Sequence, residues 1–180
     1  MIISADARLV ERVGVRGPLL LELENGRRYG DEEFVALEDG AGGQGEPVAV
    51  ASAHFHTVRK NAWTPYVNWV VAWTRPDRRL RGHGRALSDF IRAEALRRGC
   101  VRLRSAAASR DGAAFHLALG DLLWARTPAG VILVDSPLDA RAFPPGPPVN
   151  VRAWTSTAAP LSREEVLRAG SLRYDPGFSV

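Results

Sequence analysis

Six consecutive residues, Arg79-Leu80-Arg81-Gly82-His83-Gly84, set glycines and basic side chains directly ahead of a segment with helical periodicity. Glycines at a helix entry let backbone amides approach an anion closely, where the positive end of the helix dipole adds to them. The neighbouring arginines can each give two parallel hydrogen bonds to phosphate oxygens. The chemistry this pattern predicts is pyrophosphate binding. It is not the G-x-G-x-x-G of dinucleotide sites, because Leu87 stands at the third glycine position. A second chemical pair is His54 and His56, two apart in a strand-like run and therefore on one face. Their spacing suits proton transfer. It also suits a metal, but no third ligand accompanies them, and no metal is expected.

The elements around these residues follow from periodicity. Residues 47–58 and 66–74 are rich in β-branched and aromatic side chains and read as an adjacent antiparallel pair of strands. Residues 85–98 carry Leu87, Phe90, Ile91, Glu94 and Ala95 at helical spacing and stop at Gly99, a residue suited to a left-handed cap. Alternation predicts a strand at 101–106, then a helix at 111–119 closing on Gly120, and strands at 122–126 and 131–134 about a turn at 128–130. Nearer the N-terminus, residues 18–23 and 34–37 flank Asn25-Gly26, a hairpin signal, and the glycine-rich 39–45 reads as a surface loop. Towards the C-terminus, Pro144-Pro145-Gly146-Pro147-Pro148 must be extended. Ser162-Arg163-Glu164-Glu165 is a capping box opening a short helix to Ala169, with Leu161 and Val166 placed for a hydrophobic staple.

At 180 residues and 46% hydrophobic, the chain suits one compact domain. We divide it into an α/β domain at 1–140 and a Pro-rich extension at 141–180 packed on the same domain. No apolar run is long enough for a membrane helix and no leader pattern is present, so a soluble, cytoplasmic protein with no membrane partner is expected. A single cysteine, Cys100, excludes an intrachain disulfide and reads as a buried thiol. The net charge of +4 conceals an arginine-rich segment at 75–110 behind a more acidic N-terminal part. That segment makes nucleic acid a possible partner; the alternative is a solvated helix face. The tryptophans at 63, 69, 73, 124 and 154 read as core residues before stacking platforms.

Arg79-x-x-Gly82-x-Gly84 after a strand, then a helix, Gly99, a strand and a second helix closing on Leu119-Gly120, resembles the coenzyme A motif of the GNAT acetyltransferases. The resemblance covers about 66–134 well, the preceding strands loosely, and the tail after Asp139 not at all. It implies a mixed, mostly antiparallel central sheet flanked by helices, with the fourth and fifth strands splayed around the pantetheine arm of acetyl-CoA. It further implies that Val71, Ala72 and Trp73 pair with pantetheine through their backbone. The pyrophosphate would be held by amides of residues 81–86 (Arg81, Gly82, His83, Gly84, Arg85 and Ala86) beside Arg79. The family's tyrosine proton donor, four residues before the final glycine of the second helix, is His116 here. An imidazole's unperturbed pKa of about 6.5 lets it move a proton either way near neutrality. The phenylalanine after that glycine is Asp121, and the helix-opening asparagine is Ser109. His54 or His56 is the candidate base for the attacking amine, while Tyr66 and Asn68 share a strand face that can line an acceptor pocket.

The resemblance therefore implies an acyl-CoA-dependent N-acyltransferase acting on a small-molecule or protein amine by direct attack in a ternary complex, with a homodimer as a family expectation. A second reading is a GNAT-fold nucleic-acid modification protein of the phage Mom-like type, suggested by the arginines, His54, His56 and the tryptophans. A third is a catalytically silent acyl-CoA-binding module, which the missing tyrosine keeps open.

Overall fold

Seven consecutive buried residues, 47–53, run through β3 (Glu46–His56), so both faces of this strand are covered. Ala49, Ala51 and Ala53 alternate with Val48, Val50 and Ser52, and the alanine face lets a helix approach closely. The computed structural model describes residues 2–4, 32–38, 45–57, 65–107, 110–127, 131–139, 155–156 and 159–168. Within them the chain forms two compact units, one of Met1–His56 with Val67–Gly99, the other of Thr57–Tyr66 with Cys100–Val180. No helix among the described residues is long and apolar enough to cross a membrane, which says nothing of a β-barrel.

In the first unit, β1 (Ile2–Ser4), β2 (Glu32–Glu38), β3 and β4 (Tyr66–Thr74, from Val67 onward) lie in that order. β2 is antiparallel to both β1 and β3, and its register with β3 shifts between Ala36 and Leu37, passing over Val48. A shift of this kind re-aims the end of a strand. Here that end holds Glu38. Helix α1 (His83–Arg97) packs on β2 and β3. Leu87, Ile91 and Ala95 recur at helical spacing and are buried to 1% exposure or less. Phe90 leans on Phe34, with ring centroids 5.3 Å apart, and Phe34 meets Phe55 edge-on at 6.3 Å. Arg98 caps this aromatic group with its guanidinium 4.2 Å from the Phe55 ring and pairs with Glu32.

In the second unit the strand order is β5 (Arg102–Ala106), β7 (Val131–Pro137), β6 (Leu123–Thr127) and β8 (Thr155–Ser156), every pair antiparallel. Trp124, 1% exposed, donates its indole N–H to the Asp135 carbonyl at 3.1 Å, which satisfies its one polar atom inside the core. Asp135 accepts from Arg102 Nε at 2.7 Å, and Arg104 Nε lies 3.6 Å from its other oxygen. Helix α2 (Arg110–Ala118) contacts β6 and the short helix α3 (Arg163–Arg168).

Most sequence-based elements are found, with shifted ends. α1 begins at His83 rather than Arg85, because Gly82, at φ 88°, can turn the chain into the helix. Both predicted glycine caps hold: Gly99 and Gly120 have φ of 82° and 79°. The capping box forms reciprocally, with Ser162 N–H donating to Glu165 Oε2 at 2.7 Å and Glu165 N–H to Ser162 Oγ at 3.2 Å. A short C-terminal strand pairs Thr155 and Ser156 with Thr127 and Arg126. The hairpin at Asn25-Gly26, the loop at 39–44, the proline run, Trp63, Trp154 and Ala169 lie outside the described residues.

Candidate functional site

The glycine-containing loop at 79–84 is built by the way β4 ends. Arg75 N–H bonds the Val48 carbonyl at 2.9 Å, Pro76 opens a 3-10 turn at Pro76–Arg78, and Arg79 returns to an extended backbone with its Nε 3.3 Å from the Thr74 carbonyl. Leu80 then takes a left-handed φ of 62° with its side chain fully exposed, and Gly82 takes φ 88° as the N-cap of α1. The first backbone bond of the helix runs from Ala86 N–H to the Gly82 carbonyl at 3.0 Å. Residues 82–85 therefore lie ahead of the helical ladder, as the first amides of any helix do. Ala86 differs from the rest of the predicted amide set, because its N–H is already used in that bond. No side chain caps α1 among the described residues.

Two glycines play different parts here. A Cβ on Gly82 would meet nothing within 4 Å, so only its φ demands glycine. Gly84 has no positive φ, and a glycine inside a helical turn costs roughly 1 kcal/mol against alanine.

Behind the loop, charge is neutralised pairwise. The His83 side chain is 6% exposed and turns inward, its Nε2 2.7 Å from Glu38 Oε1. Only the backbone of His83 is thereby placed with the loop amides. Arg78 lies 3.4 Å from Glu38 and 3.1 Å from Glu46, and Arg75 holds Glu46 and, through two bonds of 3.0 and 3.2 Å, Asp77. Hydrogen bonds from Arg75 hold the carboxyls of Glu46 and Asp77 below their ordinary range. Arg97 and Arg98 pair with Glu94, and Arg102 and Arg104 with Asp135. Much of the arginine-rich 75–110 segment is thus committed to carboxylates, while Arg79, Arg81 and Arg85 are exposed around the loop.

The histidines separate into distinct settings. His54 and His56 share one face of β3, ring centroids 6.0 Å apart, with His54 half-buried and His56 exposed. Tyr66, placed in the second unit, lies under the Arg104 guanidinium at 4.6 Å. Ala72 is exposed and Trp73 half-buried on β4, which also carries Val71, and Asn68 is half-buried; Ser109 lies outside the described residues. Among the described residues no group of three or more potential ligands surrounds a metal-sized space.

His116 is in the second unit, on the last turn of α2, with its side chain 8% exposed. Its Nδ1 lies 2.8 Å from Oδ2 of Asp121, whose side chain is 1% exposed. An ionised carboxylate can only accept, so the imidazole donates through Nδ1–H. The partnership escaped the sequence reading, which treated the two residues as unrelated departures from one motif. A signal was present: a helix closing in a left-handed glycine brings the residues four before and one after that glycine side by side.

No protein-family model and no curated protein matches the sequence. Solved structures match the fold. The crystal structure of the NatC complex bound to Gag peptide and CoA is 12% identical, with a TM-score of 0.56 over 77% of this chain and 98% of that one. An aminoglycoside 6'-N-acetyltransferase complexed with coenzyme A is 16% identical, TM-score 0.53, over 77% and 98%. The ribosomal-protein-S18-alanine N-acetyltransferase from Escherichia coli is 17% identical, TM-score 0.52, over 77% and 94%. These likenesses, with the α/β element order and the antiparallel strand pairs above, give the chain the fold of the GNAT acetyltransferases.

Proposed function

We propose that this protein is an N-acyltransferase that moves an acetyl or other acyl group from acyl-CoA to an amine acceptor in a ternary complex. The observation that carries the reading is the N-terminus of α1, which no side chain caps among the described residues, with Gly82 open to space and exposed arginines around it. These residues fit a pyrophosphate: the amides of residues 82–85 would hold it, with Arg79, Arg81 and Arg85 near its charge. The structural neighbours named above, two of them solved with CoA, support the same reading. Bound acyl-CoA supplies the thioester that the amine attacks. The chain's own part is to hold the phosphates and to accept the amine proton, for which His54 and His56 are the candidates. The commitment of Arg75, Arg78, Arg97, Arg98, Arg102 and Arg104 to carboxylates takes weight from a nucleic-acid reading, since paired arginines release fewer counterions.

Calorimetric titration with acetyl-CoA and with free CoA tests the reading. Wild type should bind both, and Gly82→Trp, whose side chain would fill the space before the amides, should lose at least about tenfold in affinity. Circular dichroism of the variant separates lost binding from lost folding. A folded wild type that binds neither ligand overturns the reading.

A further inference from the structure

Helix α1 opens without the side-chain cap that steadies many helix N-termini: its N-cap is Gly82, and no side chain caps it among the described residues. A first turn left this way frays unless it is held from another side. The holding group is a side chain that turns inward. His83, the first residue of α1, is 6% exposed at its side chain, and its Nε2 lies 2.7 Å from Oε1 of Glu38 at the end of β2. The other oxygen of the same carboxylate, Oε2, lies 3.4 Å from Nε of Arg78, in the 3-10 turn just ahead of the loop. Both are close polar contacts rather than aligned hydrogen bonds, and an imidazole with its proton on Nε2 can face the carboxylate whether neutral or charged. Arg78 in turn reaches Glu46 Oε2 at 3.1 Å, and Arg75 holds the other oxygen of Glu46, so the turn is tied to the start of β3 as well. All five residues belong to the first unit.

One carboxylate therefore meets the chain on both sides of residues 79–82. Simple electrostatics disfavours that placement, because a carboxylate behind an anion site repels the anion. Partly buried, it also costs desolvation that an apolar residue would avoid. Sheet packing does not require it either: Glu38 lies past the register shift at Ala36 and Leu37, beyond the buried run Phe34-Val35-Ala36. We propose that Glu38 is a positioning residue for coenzyme binding, clamping Arg78 and His83 together and so fixing the span of the loop before the coenzyme arrives. With His83 drawn inward, the first turn of α1 is held from the side, and the amides of residues 82–85 stay open to phosphate oxygens, where a capping side chain would have occupied them. The Arg78 guanidinium offsets the charge of Glu38 towards the anion. A loop ordered in advance binds more tightly, because the cost of ordering it is not met at the moment of binding. The role rests on the acyl-CoA reading above and deepens it.

Calorimetry with CoA on wild type and Glu38→Gln, each shown to be folded by circular dichroism, tests the role. Glu38→Gln keeps the shape and removes the charge, and should raise the Kd for CoA about tenfold. NMR titration with acetyl-pantetheine, which has the thioester arm and no phosphates, reads weak binding and separates an effect on the loop from a general one. Its Kd in Glu38→Gln should stay within about twofold of wild type, because only the phosphate-binding residues are disturbed. Glu38→Asp keeps the charge on an arm too short to meet both partners, so it should fall between the two, about threefold weaker than wild type for CoA. It also carries the comparison if Glu38→Gln does not fold. Wild-type affinity for CoA in the folded variant, or equal losses for CoA and acetyl-pantetheine, overturns the role while the acyl-CoA reading stands. A folded wild type that binds no CoA overturns that reading and this role with it.

Discussion

Leu80 carries two costs at one position: a left-handed φ of 62° and a leucine side chain wholly in solvent. The left-handed region costs an L-residue roughly 1–2 kcal/mol, and glycine avoids it at a smaller entropic cost. Leu80→Gly is therefore expected to stabilise the protein by about 0.5 kcal/mol and to raise Tm by about 1–2 °C in a thermal melt. A lower Tm would mean that the leucine is favoured by contacts it makes when exposed. Asp121 illustrates the converse: an isolated departure from a motif gains sense once its partner is known. His116 and Asp121 lie five apart, a spacing that only the left-handed turn at Gly120 makes adjacent.

Elements depend on small numbers of such residues. A Cβ on Gly45 would lie 2.8 Å from Cβ of Leu37, next to the register shift of β2. Neither atom is the end of a flexible side chain, so the strand must move to admit it. Gly45→Ala should destabilise by about 1–3 kcal/mol in denaturant unfolding, and an unchanged midpoint would reject the crowding argument. On α1, the Arg97 guanidinium first, and Arg98 with it, holds the Glu94 carboxyl at about 2 against an ordinary 4.5. A lowered folded-state pKa stabilises at pH values above the unfolded one; the contribution is present above about 4.5 and is lost as pH falls towards 2. Glu94 is partly exposed, and solvent screening reduces the pair's worth to about 1 kcal/mol. Glu94→Gln should lose that amount at pH 7 and should flatten the fall in stability between pH 4.5 and 2. An equally steep fall in the variant would assign the acid sensitivity to other carboxylates.

For the molecule as a whole, the question is what residues after Asp139 contribute. β8 covers the edge of β6, Leu161 N–H bonds the Leu123 carbonyl at 2.7 Å, and α3 lies on α2 with Val166 1% exposed. Removing residues 140–180 would uncover a strand edge and the buried valine, which predicts lower stability and a tendency to aggregate. A truncated chain that does not aggregate and melts like wild type would show that these contacts contribute little. Because the covered elements are β6 and α2, and not α1, acetyl-CoA affinity should change less than stability. The two readouts are separable by calorimetry and thermal melting.

Read alone, the sequence determined whatever depends on near neighbours along the chain. The helix over 85–98, the glycine closures at 99 and 120, the capping box at Ser162 and the turn of the glycine loop into α1 all rest on periods and turns within a few residues, and all but the helix start were legible. Tertiary structure alone decided which charges meet. Glu38 and His83 are 45 positions apart, Arg102 and Asp135 are 33 apart, and Arg98 and Glu32 are 66 apart, so composition showed an arginine patch where the fold makes ion pairs. Long-range pairing is fixed by strand register and by the burial of charge against charge, and neither leaves a local mark in sequence.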